Sequence, residues 1–503
     1  NKTLELSGNG IFHSDLYVDH DISLGNHLEV HGDASLNKTL ELSGNGIFHS
    51  DLYVDHDISL GNHLEVHGDT SLNKILELSG NAIFHSDLYV DHDISLGVHL
   101  EVHGDASLNK TLELSGNAIF HSDLYVDHDI SLGNHLEVHG DTSLNKTLEL
   151  SGNAIFHSDL YVDHDISLGN HLEVHGDASL NKTLELSGNA IFHSDLYVDH
   201  DISLGNHLEV HGDASLNKSL EVSDNVLIHN SIFIDNDLSL GDRMDVHGDV
   251  SLNKILELSG NAIFHSDLYV DHDISLGNHL EVHGDTSLNK TLELSGNAIF
   301  HSDLYVDHDI SLGDHLEVHG DTSLNKTLEL SGNAIFHSDL YVDHDISLGE
   351  HLEVHGDVSL NKTLELSGNA IFHSDLYVDH DISLGDHLEV HGDVSFNKSL
   401  EVSDNVLIHN SIFIDNDLSL GDRMDVHGDV SFNKSLEVSD NVLIHNSIFI
   451  DQDLSLGDRM DVHGDVSFNK SLEVSDNVLI HNSIFIDQDL SLGDRMDVHG
   501  DVS

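Results

Sequence analysis

A six-residue period governs the whole chain and limits it to a small set of folds. Cut in sixes, the first 36 residues read NKTLEL, SGNGIF, HSDLYV, DHDISL, GNHLEV, HGDASL. The sixth position is always apolar: Leu6, Phe12, Val18, Leu24, Val30 and Leu36. The fourth is apolar or small: Leu4, Gly10, Leu16, Ile22, Leu28 and Ala34. Residues two apart share one face of a strand, so positions four and six point inward and positions three and five point to solvent. Positions one and two are drawn from Asn, Ser, His, Asp, Gly and Lys. Most of these favour turns, and several tolerate left-handed φ. Each hexad is therefore a short strand followed by a two-residue corner. A helix does not fit, because its apolar residues would recur three and four apart.

Short strands joined by tight corners, each with one inward face, coil into a parallel β-solenoid. Every strand then bonds to the turns above and below. The 503 residues include no proline, where average usage of about 5% would supply roughly 25. An interior ladder explains this, since proline has no N–H to donate to it.

A longer period of 36 lies over the hexads. Residues 1–503 form one continuous solenoid of fourteen units, beginning at 1, 37, 73, 109, 145, 181, 217, 253, 289, 325, 361, 397, 433 and 469. Ten units resemble the first. Those at Asn217, Asn397, Asn433 and Asn469 follow a second pattern, NKSLEVSDNVLIHNSIFIDNDLSLGDRMDVHGDV with small changes. Repeats of this length point to solenoids, propellers or arrays. Matching the unit against itself favours a turn of 12 residues, a flat two-sided coil. Core volume favours 18, because each turn then holds two large fourth-position residues and one small one, and close-packed interiors resist uneven layers. The pairs His13/Asp15, His31/Asp33 and His49/Asp51 also recur at 18. The expected fold is all-β: a single-chain parallel β-solenoid with about 18 residues and three short strands per turn. The 12-residue coil and an intertwined homotrimeric β-helix are the alternatives. About 28 turns rising about 4.8 Å each would extend roughly 130 Å. The inward set is Leu4, Leu6, Phe12, Leu16, Val18, Ile22, Leu24, Leu28, Val30 and Leu36.

Composition narrows the function. Eighteen Lys and Arg against 91 Asp and Glu give a net charge of −73. Such a chain repels nucleic-acid phosphates and anionic membranes. No apolar run is long enough for a membrane-spanning helix, and no signal-peptide pattern opens the chain. With no cysteine, disulfides and thiolate metal sites are excluded. The chain starts at Asn1 rather than Met and shows no polar cap at either end, which solenoids need for solubility. The expectation is an excised or processed piece whose array continues, docks on a partner, or meets capping or head domains outside this segment.

The pairs Ala34/Leu36 and Ala82/Phe84 resemble the hexapeptide-repeat β-helix proteins, which place a small residue two positions before an aliphatic one. Leu4/Leu6 departs from that pattern. The acyltransferases of that group carry a catalytic histidine and long loops, and this chain has no loop insertion, so that activity does not carry over. The GDVSL and LEVSG style of repeat also resembles bactofilins, which polymerise, and repetitive fibre and surface proteins of marine phages and large algal viruses. The resemblance implies a structural or fibre role and transfers no site residues.

Several surface groups are candidates for chemistry. On an 18-residue turn Asp15, Asp33, Asp51 and Asp69 stack about 4.8 Å apart. Like charges at that distance attract cations, and carboxylate oxygens suit calcium. No cofactor is required on this reading, with calcium as a candidate stabiliser. His13, His20, His27 and His31 are residue types that bind zinc, although corner positions select small or polar residues in any case. His13-Ser14-Asp15 runs along a corner rather than converging in a cleft, so no catalytic residues are expected. Asn-Lys-Thr or Asn-Lys-Ser, a glycosylation sequon, opens twelve of the fourteen units. Outward Ile11 and Tyr17 would form an apolar stripe suited to self-association. The expected function is a non-enzymatic structural rod or fibre shaft in a viral appendage, cell-surface filament or adhesin. The expected setting is extracellular, at a cell surface or on a virion. A self-assembling scaffold filament and a cation- or ice-binding array are the alternatives.

Overall fold

A computed structural model describes residues 3–503. The chain divides into two compact units, Asn1–Asp249 and Val250–Ser503. The first opens with β1 (Leu4–Leu6), β2 (Gly10–Phe12), β3 (Leu16–Val18), β4 (Ile22–Leu24), β5 (His27–Val30) and β6 (Ala34–Leu36). Every hexad thus yields one strand, and no helix occurs among the described residues. Strands pair in parallel at a register of 18, with Leu4 opposite Ile22, Gly10 opposite Leu28 and Leu16 opposite Ala34. The second unit repeats this, with Leu256 opposite Ile274 and Ala262 opposite Leu280. Three strands therefore complete a turn, and each unit is a three-sided coil. A 12-residue turn would set Leu4 opposite Leu16, and an intertwined trimer would draw its partners from other chains. Both alternatives give way to the single-chain 18-residue turn.

Backbone bonds between turns continue through the corners, as in Gly25 N–H to Leu6 O at 2.8 Å and His31 N–H to Phe12 O at 2.8 Å. Donors are needed nearly everywhere, which is the physical reason for the missing proline.

The core fills by alternation. On the second side, Ala82 with Phe84 in one turn lies against Leu100 with Val102 in the next, and all four are fully buried. Small plus large alternates with large plus medium, so each layer holds a similar volume, as close packing requires. Leu16, Ile22, Leu24, Leu28, Val30 and Leu36 are buried as well. Leu4 and Phe12 are half-buried, and Leu6 is 40% exposed. These lie in the first described turn, where strands cover them on one side only; Leu42 and Leu78, at the same place in later units, are 2% exposed.

One expectation about the corners is overturned. No described residue has positive φ, glycine included. Glycine is required here by close approach between turns. A Cβ on Gly44 would sit 1.6 Å from the Asn26 carbonyl oxygen, and one on Gly32 would sit 2.4 Å from the Asp15 backbone nitrogen. The strand that follows Gly44 starts one residue early. Asn45–Phe48 has four residues, with Asn45 N–H bonded to Asn26 O at 2.9 Å. In the C-terminal second-type units Asp404 takes the glycine's place, and the strand Val406–Ile408 starts one residue later.

Candidate functional site: side-chain columns at the corners

Because the turn is 18 residues, any residue type recurring at 18 becomes a vertical column. Each corner carries a different one.

The corner after the second side carries histidine. His13, His31, His49 and their successors stack ring on ring as far as His229 in the first unit, and His265 through His409 do so in the second. The spacing alternates. His31 and His49 have ring centroids 4.5 Å apart and 6° from parallel, while His49 and His67 are 5.3 Å apart. The alternation follows the outward strand residue beside the column, which switches between Ile and Glu: Glu29 lies opposite Ile47. Where Glu is present it draws two imidazoles together. Glu29 Oε1 lies 3.3 Å from His31 Nε2 and 3.1 Å from His49 Nε2, and Glu29 Oε2 lies 3.8 Å from His27 Nε2. The hydrogen bond from His49, supported by the nearby imidazoles, holds the Glu29 carboxyl below its usual range against partial desolvation. Ten first-type units each carry such a Glu-centred pair.

Second-type units rebuild this cluster. Asp425 replaces Glu, Arg423 replaces the first histidine, and Arg423 Nη2 lies 2.7 Å from Asp425 Oδ2. Asp425 Oδ1 is left 3.9 Å from His427 and 3.6 Å from His445 with no hydrogen-bond partner. The rings there turn edge-on, 88° apart for His427 and His445.

The same corner carries the aspartates expected to hold calcium. Asp15, Asp33, Asp51 and Asp69 do form a column, and one oxygen of each, Oδ1, bonds within the protein. Asp15 Oδ1 accepts Asp33 N–H at 3.1 Å, Asp51 Oδ1 accepts Asp69 N–H at 2.9 Å, and Ser50 Oγ donates to Asp33 Oδ1 at 2.5 Å. The carboxylates are tethering successive turns. Three-residue groups with ligand atoms within 4.8 Å of one another include Glu29, His31 and His49, a set the sequence pattern did not single out. The available signal was the Glu/Ile alternation at 36 beside an unvarying histidine at 18.

The corner after the third side carries asparagine and aspartate. Asn109 Nδ2 donates to Asp91 Oδ1 at 2.7 Å and to Tyr89 Oη at 3.0 Å, and Tyr89 Oη donates to Asp91 Oδ1 at 2.6 Å. This triad recurs along both units. It occupies the sequon carboxamide nitrogen, the atom a glycan would need. It also fixes the outward tyrosines, about 40% exposed, whose rings alternate with Ser107 and its counterparts along the third side. Ile11 and Tyr17 lie on neighbouring sides, and each stripe is broken every second turn, by Glu29 opposite Ile11 and Ser35 opposite Tyr17.

The first corner changes character toward the C-terminus. Asp386, Asp404, Asp422, Asp440, Asp458, Asp476 and Asp494 recur at 18. Desolvation and the neighbouring Asp422 carboxyl push Asp404 above the usual carboxylate range, and Asp458 does the same to Asp440.

No family model, curated protein or solved structure matches this chain. The parallel β-solenoid built from tandem repeats is therefore its defining feature. No described helix is long and apolar enough to cross a membrane.

Proposed function

We propose that the chain is a non-enzymatic structural shaft, of the kind that forms fibres, cell-surface filaments or viral appendages. The observation that carries this reading is the unbroken 18-residue register within each unit, with no loop leaving the coil among the described residues. The recesses along the third side, such as that between Tyr305, Tyr341 and Tyr377, are lined by Asp, Ser, Thr and Leu without an imidazole, so they do not assemble a nucleophile, base and orienting group of the histidine-based kind. Repetition instead sets length by copy number, since each turn contacts only its neighbours. The likeness of the hexads to hexapeptide-repeat coils, bactofilins and phage fibre proteins agrees with this role. The dense negative charge keeps such shafts from collapsing side by side. Electron microscopy of the purified chain, alongside versions with four units deleted or added, tests the reading. The particle should lengthen in proportion to unit number; a length independent of copy number would overturn it.

A second reading is favoured by the exposed tyrosine row along the third side. Large outward aromatics mark association surfaces, and the triad prepays part of their ordering. On this reading shafts pair laterally through the third side. Sedimentation of a variant with Ser at the Tyr89 position and its counterparts should then show loss of a dimer or trimer formed by the unaltered chain.

A further inference from the structure

We propose that each Glu-centred histidine pair of the first-type units is a binding site for a divalent transition-metal ion of the zinc class. Glu29 Oε1, His31 Nε2 and His49 Nε2 are the ligands in the first such site. Zinc takes nitrogen and oxygen ligands at about 2.0–2.2 Å in a tetrahedron, whose edges are then about 3.4 Å. The Glu29 oxygen lies 3.3 and 3.1 Å from the two nitrogens, already the length of such edges. The rings are parallel at 4.5 Å, so binding needs their Nε2 lone pairs to swing toward a common point. Side-chain exposures of 39% and 36% leave room for this rotation. The fourth position falls to water. His27 faces the other carboxylate oxygen, and fixing the ligand carboxylate in this way is what outer partners of metal sites do.

The chain contains its own contrasts. His49 and His67 stack without a carboxylate between them and stand wider, at 5.3 Å. In second-type units Arg423 takes Oδ2 of the shorter Asp425 carboxylate, and Oδ1 stands farther from the two imidazoles, at 3.9 and 3.6 Å. Zinc should therefore bind once per first-type unit, and the sites should lie two turns apart within each run of first-type units. The site is independent of the shaft reading, which stands or falls on particle length.

Equilibrium dialysis of the full chain against zinc at pH 7.5 and physiological salt tests the assignment. About ten tightly held ions per chain are expected, one per Glu-centred pair, with calcium in large excess failing to displace them. Converting Glu29→Gln and its nine counterparts should remove these ions while far-UV circular dichroism keeps the β-sheet spectrum. A second variant, His49→Gln with its counterparts, should do the same with every carboxylate retained. Zinc binding that persists undiminished in the Glu→Gln variant would show scattered histidines acting alone and overturn the proposal. Displacement by calcium would show carboxylate-only binding and overturn it equally.

Discussion

Four inward positions hold threonine where other units place alanine or valine. Thr70, Thr142, Thr286 and Thr322 are each 2% exposed, and none of their hydroxyls has a hydrogen-bond partner. Leaving a buried hydroxyl unpaired costs about 1–3 kcal/mol. Valine has nearly the same shape, and the chain shows that it fits: Val250, Val358 and Val394 occupy the equivalent place at 1–2% exposure. Thr142→Val should therefore stabilise its rung by about 1–3 kcal/mol. Solenoid stability is close to a sum of local and nearest-neighbour terms, so a single global midpoint would blur the effect. Native-state hydrogen exchange resolves it. Amides of Leu124–Val126, Thr142–Leu144 and Leu160–Val162, the paired strands around the substitution, should slow by about 5- to 150-fold, the same free energy as a ratio of open to closed states. The quadruple variant should also raise the denaturant midpoint. Unchanged or faster exchange at these strands would refute the idea that the hydroxyls are an unmet cost.

Other outcomes follow from packing and charge. Phe156→Ala opens a cavity at a fully buried site and should destabilise by about 3–5 kcal/mol, seen as faster exchange confined to neighbouring turns. Gly152→Ala puts a Cβ 1.6 Å from Asn134 O; the strand Asn153–Phe156 should shorten to the three-residue form, with Asn153 N–H losing protection. At the C-terminal aspartate column, Asp404 and Asp440 have folded pKa values above 3.8. Their contribution to stability is therefore greatest below that pH and is lost as pH rises through the folded value. Asp404→Asn with Asp440→Asn should stabilise these turns at pH 7 and give no gain below about pH 4, read by denaturation at both pH values. Glu29 and Glu173 have the opposite sign. Hydrogen bonds from His49 and His193 lower them below 4.5, so their contribution is present above that pH and is lost as pH falls through the folded value. Glu173→Gln should accordingly remove stability at neutral pH, with the loss shrinking as pH falls below 4.5, measured in the same series.

What the hexad determined by itself was the strand, the corner and the inward set, because a period of two on a six-residue frame admits only a short strand with one buried face. Ile22, Leu28, Val30 and Leu36 could be placed inside without coordinates for that reason. The number of residues per turn needed the core-volume argument, since self-similarity alone favoured 12. Two things depended on the tertiary structure. Glycine at the corners looked like a φ requirement, yet Gly44 is held by the Asn26 carbonyl of the turn below, a contact between residues 18 apart that no local rule encodes. In the acidic column at Asp15 one carboxylate oxygen of each residue bonds the next turn, through a backbone N–H at Asp15 and a serine hydroxyl at Asp33, while Glu29, His31 and His49 converge beside it. Periodicity fixes which residues share a column. Which side chains in neighbouring columns lean together depends on the corner's path and the strand's length, and those are set by close approach between turns in three dimensions.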